Sequence, residues 1–320
     1  MNSAELELFR ESLRHATTTQ SGEALDDALN HLGWRDALAT DRRAAVSILF
    51  ELQGRANATS SAIDVVVGDA LGIDPRSTAG IVLPPLGSCH PPGVLISEHL
   101  ALRGIGTAGL GRRDTAVVIA LTGEEHSTVV VDTAALELRS VNGLDPTIGI
   151  VQVGGDRVGA IGRSESPPSA WANAAAAGQL AVAQELVGAS KAMLQLARDH
   201  ARERIQFGRP IAAFQAVRHR LAESLVAIEA AEAALGAAWD VGSPLDAALA
   251  KAIAGRSART VALHGQQVLA GIGFTAEHPF HHYVRRTLML DGLLGDVRSL
   301  TRDLGEELLR TRRLPSILPL

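Results

Sequence analysis

The stretch RERIQFGRPIAAFQ, residues 202–215, separates two long segments with helical periodicity. In both segments apolar residues recur at seven-residue intervals, as on the buried face of a helix: Leu180, Val187, Leu194 and Ala201 before the stretch, and Leu221, Ile228 and Leu235 after it. Gly208 permits a positive φ, whereas Pro210 fixes φ and lacks an N–H donor, so the helix cannot continue. The sequence therefore predicts a tight bend that holds Arg204, Phe207 and Gln215 near one helix–helix junction.

These side chains suit an anionic ligand that carries a planar group. Arg204 offers a forked cation that can bind phosphate oxygens through two parallel hydrogen bonds. Phe207 offers an aromatic face and Gln215 an amide. The alternative is a corner of a helical bundle, with the arginine in a surface ion pair and Phe207 in the core. Periodicity leaves both interpretations open.

The same segment resembles a known family. Residues 201–223, ARERIQFGRPIAAFQAVRHRLAE, are similar to the part of acyl-CoA dehydrogenases that carries the pattern R-x-x-F-G-x-x-I-x-x-x-Q. A second stretch, QVLAGIGFTAEHP at residues 267–279, resembles the family's Q-x-L-G-G-x-G-x-x-x-E-x-P, with Ala270 in place of the first glycine. The two motifs follow in the family's order and spacing, so the resemblance covers roughly residues 170–310.

The resemblance implies an α+β, mostly α fold with an N-terminal helical domain (1–72), a small truncated β domain (73–166) and a C-terminal four-helix bundle (167–320). The residue pattern agrees with this layout. Apolar periodicity predicts helices at 3–16, 22–33, 41–57, 59–71, 170–203, 212–240, 245–269 and 280–311. Apolar, β-branched runs predict strands at 80–85, 115–121 and 127–132. The glycine-rich residues 104–111 lack the following helix of a dinucleotide-binding fingerprint and are predicted to form a loop.

The resemblance also implies a reaction. In this family a carboxylate removes the α-proton of an acyl-CoA thioester, FAD accepts the β-hydride, and an electron-transfer flavoprotein takes the electrons. The FAD crosses a subunit interface, with its adenosine pyrophosphate held by a neighbouring subunit. At the matching positions, Arg204 would bind the pyrophosphate and Phe207 would pack on the adenosine. Gln215, Gln267 and the backbone at Gly271 would contribute hydrogen bonds.

The family's catalytic base has no counterpart at its two usual positions. Counting without gaps, the Glu of a Glu–Gly–Thr triplet falls on Leu294, and the alternative Glu position falls on Gly178. A shift of three residues makes Asp291 a candidate base, with Asp296 further along. Both aspartates can equally be solvated or capping charges. Glu185 is expected at the surface or in an interface.

The leading hypothesis is a subunit of a heteromeric enzyme. The chain resembles the short subunits of actinobacterial α2β2 acyl-CoA dehydrogenases that act on steroid side-chain CoA thioesters. It would hold the adenosine end of FAD, and a second acyl-CoA dehydrogenase-like subunit would supply the catalytic Glu and most of the acyl-CoA pocket. The alternatives are a self-sufficient homo-oligomeric flavoenzyme that uses Asp291, and a scaffold subunit without FAD.

Composition excludes several other classes. A formal net charge of −5 argues against nucleic acid as the main partner. The single cysteine, Cys89, excludes an intrachain disulfide and a cysteine-based metal site. The histidines at 278, 281 and 282 cluster at the start of the last helix, but a zinc site needs three or four ligands on defined faces and the adjacent pair points apart, so no metal is predicted. No apolar run reaches 18 residues and the N-terminus is acidic, so we expect no membrane span, no signal peptide and a cytoplasmic location.

Overall fold

Within the described residues, the N-terminal part of the chain is helical. The structure is a computed structural model that describes residues 3–74 and 78–312. The first helices are α1 (Ser3–Thr19), α2 (Glu23–His31), α3 (Trp34–Thr40), α4 (Arg42–Ala56) and α5 (Ala62–Ala70). Helix α3 was not predicted: Gly33 adopts the left-handed conformation, at φ 68°, and starts a new helix that buries Trp34. The side chain of Asp41 then accepts from the Ala44 N–H and caps α4.

The middle of the chain forms a closed, mainly antiparallel barrel with two parallel strand pairings. Its strands are β1 (Gly80–Ile81), β2 (Gly93–Ile96), β3 (His99–Thr107), β4 (Thr115–Thr122), β5 (Glu125–Asp132), β6 (Glu137–Ser140) and β7 (Ile150–Ser166). The path β4-β2-β3-β7-β5 returns to β4, while β1 pairs with β4 and β6 pairs with β7. A small apolar core of valines and leucines, including Val118, Val129 and Leu100, lies inside.

The glycine-rich prediction in this region was wrong. Gly104 and Gly106 lie within β3, and residues 108–112 form a 3-10 helix. The glycines are needed for close packing and not for a turn. A Cβ on Gly104 would collide with the carbonyl oxygen of Leu83, and a Cβ on Gly106 would collide with the Leu110 side chain. The strands predicted at 115–121 and 127–132 are confirmed.

The C-terminal part is built around one long helix. Its elements are α6 (Pro168–Glu203), the hairpin strands β8 (Ile205–Gln206) and β9 (Arg209–Pro210), α7 (Gln215–Val241), α8 (Pro244–Leu269), α9 (Phe280–Gly292) and α10 (Val297–Thr311). Helix α6 packs against α4, α7, α8 and α9. It crosses α4 in backbone contact because Gly54 faces the Glu185 carbonyl and Gly188 faces the Glu51 carbonyl, where any Cβ would collide.

The prediction of a single helix over 280–311 was wrong. Leu294 and Gly295 have φ values of 56° and 98°, which end the helix after Gly292. Asp296 then starts α10 with a capping box, in which its side chain accepts from the Ser299 N–H while Ser299 bonds back to Asp296. The C-terminal part of the described chain therefore contains five helices and not four.

A buried arginine joins the three parts of the fold. Arg286 on α9 is 1% exposed, and its guanidinium donates to Asp145 Oδ2 (2.7 Å) and to the Ala58 carbonyl (2.8 Å). Glu185 on α6 lies 3.5 Å from the same guanidinium and accepts from Gln53 Nε2 at 3.1 Å. The expectation that Glu185 lies at the surface or in an interface was wrong, because the residue is buried inside the chain. Burial raises the pKa of its carboxyl to about 7.

Candidate functional site

The first motif folds as a two-stranded hairpin between α6 and α7. Strand β8 pairs with β9 antiparallel, and the turn residues Phe207 and Gly208 have φ values of 53° and 76°. Positive φ at both central residues is the geometry of a type I′ turn, which matches the twist of a hairpin. The turn carries the Phe207 side chain into solvent, where it is 90% exposed. The alternative that places Phe207 in the core is therefore wrong.

A groove of about 310 Å³ opens beside this hairpin. Its walls come from the hairpin, from the start of α7 and from the end of α8, and its lining residues are Gln206, Phe207, Ile211, Phe214, Ala216, Val217, Arg220, Gln267 and Val268. The structure thus brings together Phe207 of the first motif and Gln267 of the second. The volume lies at the lower end of the range of small-molecule pockets, about 300–1,000 Å³.

Three predicted residues border this groove without lining it. Arg204 follows the last residue of α6, and its carbonyl accepts from the N–H of Ile211 in the groove wall (2.8 Å). Gln215 is the first residue of α7, and Gly271 lies in the 3-10 helix that follows α8. All three are exposed. The structure therefore places all five predicted residues at one end of the bundle, with two of them in the groove.

Aromatic and cationic groups alternate across the hairpin. The Phe207 and Phe214 rings meet edge to face with centroids 6.0 Å apart, and the Arg209 guanidinium lies 4.4 Å over the Phe214 ring. The second motif adds a strained residue, because Ala270 ends α8 at φ 53° and ψ −134°, a conformation that favours glycine. This is the position where the acyl-CoA dehydrogenase pattern has its first glycine.

Two polar groove residues, Gln206 and Arg220, were missed by the sequence analysis. Arg220 is partly buried, and its guanidinium has no hydrogen-bond or ion-pair partner in the part of the chain that the structure describes. A sequence signal for Arg220 does exist. Positions 216, 217 and 220 fall on one face of α7 by helical spacing, and that face directly follows the first motif.

The two positions that usually carry the family's base are in contact with each other. Leu294 is 1% exposed, and its Cδ1 fills the space that a Cβ on Gly178 would need. Gln179 Nε2 donates to the Leu294 carbonyl at 3.0 Å and holds the turn in place. The connection between β1 and β2 covers this turn, with the Gly87 N–H donating to the Gly292 carbonyl at 2.7 Å. An apolar side chain therefore occupies the point where both positions meet.

Asp291, the candidate base, packs against helix α8 and not against Gly178. Its side chain is 3% exposed, forms an ion pair with Arg259 and contacts Gly255 on α8. One carboxylate oxygen, Oδ1, has no hydrogen-bond partner among the described residues. Lys251, also on α8, donates to the carbonyls of Asp291 (2.9 Å) and Gly295 (3.0 Å), and burial lowers the pKa of its ammonium to about 8.

Asp296 is accounted for by its structural role. It is the N-cap of α10, and backbone hydrogen bonding from Ser299 holds the pKa of its carboxyl below the ordinary value. Over residues 3–74 and 78–312, no helix has both the length and the apolar character needed to cross a membrane. The described histidine, cysteine and acidic side chains form no group of three or more that could hold a metal ion.

Comparison with known proteins agrees with this geometry. Residues 171–309 match the family model described as acyl-CoA dehydrogenase, C-terminal domain. This region is similar to the C-terminal domain of acyl-CoA dehydrogenases. The acyl-CoA dehydrogenase IpdE2 of Mycobacterium tuberculosis (strain ATCC 25618 / H37Rv) is 40% identical over 126 residues, which are 39% of this chain and 40% of that protein. The match thus spans less than half the length of that acyl-CoA dehydrogenase.

Solved structures establish the fold over nearly the whole chain. A variant of the Tcur3481–Tcur3483 steroid ACAD superposes with a TM-score of 0.81 at 21% identity, covering 97% of this chain and 99% of that one. The ChsE4–ChsE5 complex from Mycobacterium tuberculosis gives a TM-score of 0.78 at 20% identity, covering 99% of each chain. The predicted fold class, α+β and mostly α with the layout of acyl-CoA dehydrogenases, is confirmed.

Proposed function

We propose that this chain is one subunit of a heteromeric, FAD-dependent acyl-CoA dehydrogenase. It binds the adenosine-pyrophosphate half of a FAD whose flavin ring lies in a second acyl-CoA dehydrogenase-like subunit. That partner supplies the catalytic Glu and most of the acyl-CoA pocket, in an α2β2 assembly. The observation that carries the proposal is a contrast within one chain. The ligand-side motifs line an open groove, whereas Leu294 fills the position of the base.

The groove residues fit the tail of FAD. Phe207 presents an exposed aromatic ring, which a purine can pack against. Gln267 and Gln206 present amides at the groove, where they can bond the polar edges of a nucleotide. The guanidinium of Arg204, which has no hydrogen-bond or ion-pair partner among the described residues, supplies a forked cation for the pyrophosphate. Gln215 and the backbone at Gly271 are proposed to add hydrogen bonds at the border of the groove.

The chemistry then divides between the two subunits. FAD, when bound, supplies the acceptor for the β-hydride of an acyl-CoA thioester. Leu294 cannot accept a proton, and Gly178 has no side chain, so this chain contributes no base at either position. Its own residues bind and orient the cofactor tail. The steroid side-chain CoA is proposed as the substrate class because the chain shares its fold with a steroid ACAD. Electron-transfer flavoprotein is proposed as the acceptor because the resemblance to the acyl-CoA dehydrogenase family implies it.

Expression alone and with an acyl-CoA dehydrogenase-like chain encoded beside it tests the proposal. We expect flavin absorbance and acyl-CoA desaturation from the co-expressed pair only. Flavin and activity in the chain expressed alone would contradict the proposal that a second subunit supplies the flavin-ring site and the catalytic Glu. Flavin in neither sample would favour a scaffold subunit that has kept the fold without the cofactor.

Arg204→Ala tests the cofactor contact directly. We expect the purified complex to keep its subunit ratio but to lose flavin, because a charge-assisted contact to the pyrophosphate contributes about 1.5–3 kcal/mol. Arg256→Gln, an exposed arginine on α8, is the control and should leave the flavin content unchanged. Equal flavin in the Arg204→Ala complex and the wild-type complex would contradict the assignment.

The alternative is a self-sufficient homo-oligomer in which Asp291 is the base. The observation that favours it is the buried Oδ1 of Asp291, which has no hydrogen-bond partner among the described residues. Against it, the other oxygen is held by Arg259 and the side chain packs on α8. This alternative requires the chain alone to turn over acyl-CoA, and Asp291→Asn to abolish turnover while flavin stays bound.

A further inference from the structure

We infer that Arg220 is a second anion-binding residue of the groove, specific for the diphosphate of the nucleotide tail. This inference rests on the proposed function and extends it to a residue outside both sequence motifs. Within the FAD tail proposed above, the planar base would lie on the Phe207 side of the groove and the diphosphate on the α7 side.

The first argument is the partial burial of a charge whose guanidinium has no partner among the described residues. Arg220 is partly buried in a groove whose other α7 residues, Ala216 and Val217, are apolar. Its guanidinium has no hydrogen-bond or ion-pair partner among residues 3–74 and 78–312. A cation withdrawn from water without a partner costs free energy, and an anionic ligand would remove that cost.

The second argument is a comparison with nearby arginines. Arg218, two residues earlier on α7, donates to the Ala212 carbonyl at 2.8 Å, and Arg209 lies over the Phe214 ring. These guanidiniums are engaged with the protein itself. Arg204 is exposed at the border, outside the groove lining. Arg220 is thus the arginine that combines a place in the groove with a free guanidinium among the described residues.

The third argument is the distribution of chemistry along the groove. The aromatic residues Phe207 and Phe214 lie on the hairpin side, whereas Arg220, the charged residue of the lining, lies on the first turns of α7. A ligand that satisfies both sides needs a flat, weakly polar part and an anionic part. Adenosine alone satisfies only the hairpin side, and a free phosphate only the other.

Titration calorimetry of the full chain with ADP and with adenosine tests the inference. We expect wild type to bind ADP more tightly than adenosine. Arg220→Gln should weaken ADP binding by about tenfold or more and leave adenosine binding within about twofold, because one charge-assisted contact is lost and the aromatic wall is kept. The ADP affinity of Arg220→Lys should lie between those of wild type and Arg220→Gln, because an ammonium keeps the charge but cannot form two parallel hydrogen bonds.

The matched control is Arg256→Gln. Arg256 is an exposed arginine on α8, about three turns before Gln267, and its variant should bind ADP like wild type. Thermal melting of each variant checks that it is folded, and the lysine variant supplies the test if the glutamine variant is not. Equal ADP affinity in wild type and both Arg220 variants, an equal loss of adenosine binding, or no ADP binding by wild type would overturn the inference.

The two proposals fail in different ways. Wild-type ADP binding that does not depend on Arg220, together with flavin in the co-expressed complex, would overturn this inference alone. Absence of flavin from the co-expressed complex would overturn the proposed function, and with it the assignment of Arg220 to the FAD tail.

Discussion

The effect of Gly178→Ala on the free energy of unfolding is expected to depend on the residue at position 294. The substitution should destabilise the protein when that residue is leucine and stabilise it when that residue is alanine. In the wild-type chain a Cβ on Gly178 would overlap Leu294 Cδ1 and approach Val67 Cγ2 to 3.1 Å. Leu294 has little freedom to move, because it is buried, adopts a left-handed backbone and has its carbonyl held by Gln179. Gly178→Ala should therefore destabilise the protein.

The magnitude of this loss follows from two opposing contributions. Overpacking costs about 1–3 kcal/mol, and alanine returns about 1 kcal/mol of helix propensity relative to glycine, which leaves a net loss of about 1 kcal/mol. Leu294→Ala alone should cost about 3–5 kcal/mol, as for other buried leucines. In that background the new methyl group on residue 178 has room, so the same glycine substitution should stabilise by about 1 kcal/mol.

Chemical denaturation of wild type, both single variants and the double variant measures this coupling, which should be about 2 kcal/mol. Gly305→Ala on α10 is the control, because a Cβ there meets nothing within 4 Å. It should be neutral or stabilising in both backgrounds. If Gly178→Ala shifts the unfolding free energy equally with leucine and with alanine at 294, the two positions are not in contact and the reasoning fails.

Two further variants test buried and strained positions. Burial raises the pKa of Glu185 from 4.5 to about 7, so the stability that its protonated form supports is complete below about pH 4.5 and declines as pH rises towards 7. Glu185→Gln should remove this decline, which amounts to about 3 kcal/mol of unfolding free energy. An unchanged stability–pH curve would show that the carboxyl is ionised throughout. Asp64, whose pKa burial also raises to about 7, adds a decline in the same window that should persist in this variant. Ala270→Gly should stabilise the protein by about 1 kcal/mol because φ at this residue is positive. The control Ala233→Gly, in the middle of α7, should destabilise it by about the same amount. Equal effects of the two substitutions in urea denaturation would contradict the inference that the backbone at Ala270 is strained.

Local pattern predicted the elements that have long, regular periodicity. The helices around the Arg204 motif and the strands at β4 and β5 follow from apolar spacing alone. The break after Gly292 does not, because Leu294 keeps the helical pattern of apolar residues. Its left-handed backbone accompanies tertiary contacts with Gly178 and Gln179, which lie more than 100 residues away in sequence.

Burial of individual side chains was the least predictable property. Hydrophobicity favours a buried Phe207 and charge favours an exposed Glu185, yet the structure reverses both. A type I′ turn carries the phenylalanine outward, and a guanidinium from α9 accompanies the glutamate inward. Helical spacing gives the face on which Arg220 lies, but not what that face meets. The groove depends on three segments that only the folded chain brings together.

The position of Arg286 decides how this chain can be divided. A fragment that starts at α6 would keep the guanidinium and Glu185 but would lose the Ala58 carbonyl and the Asp145 carboxylate. In this fragment the Arg286 guanidinium would lack most of its hydrogen-bond acceptors. The region that matches the acyl-CoA dehydrogenase C-terminal domain is therefore not a portable module, and truncation studies should keep the upstream helices and the barrel attached.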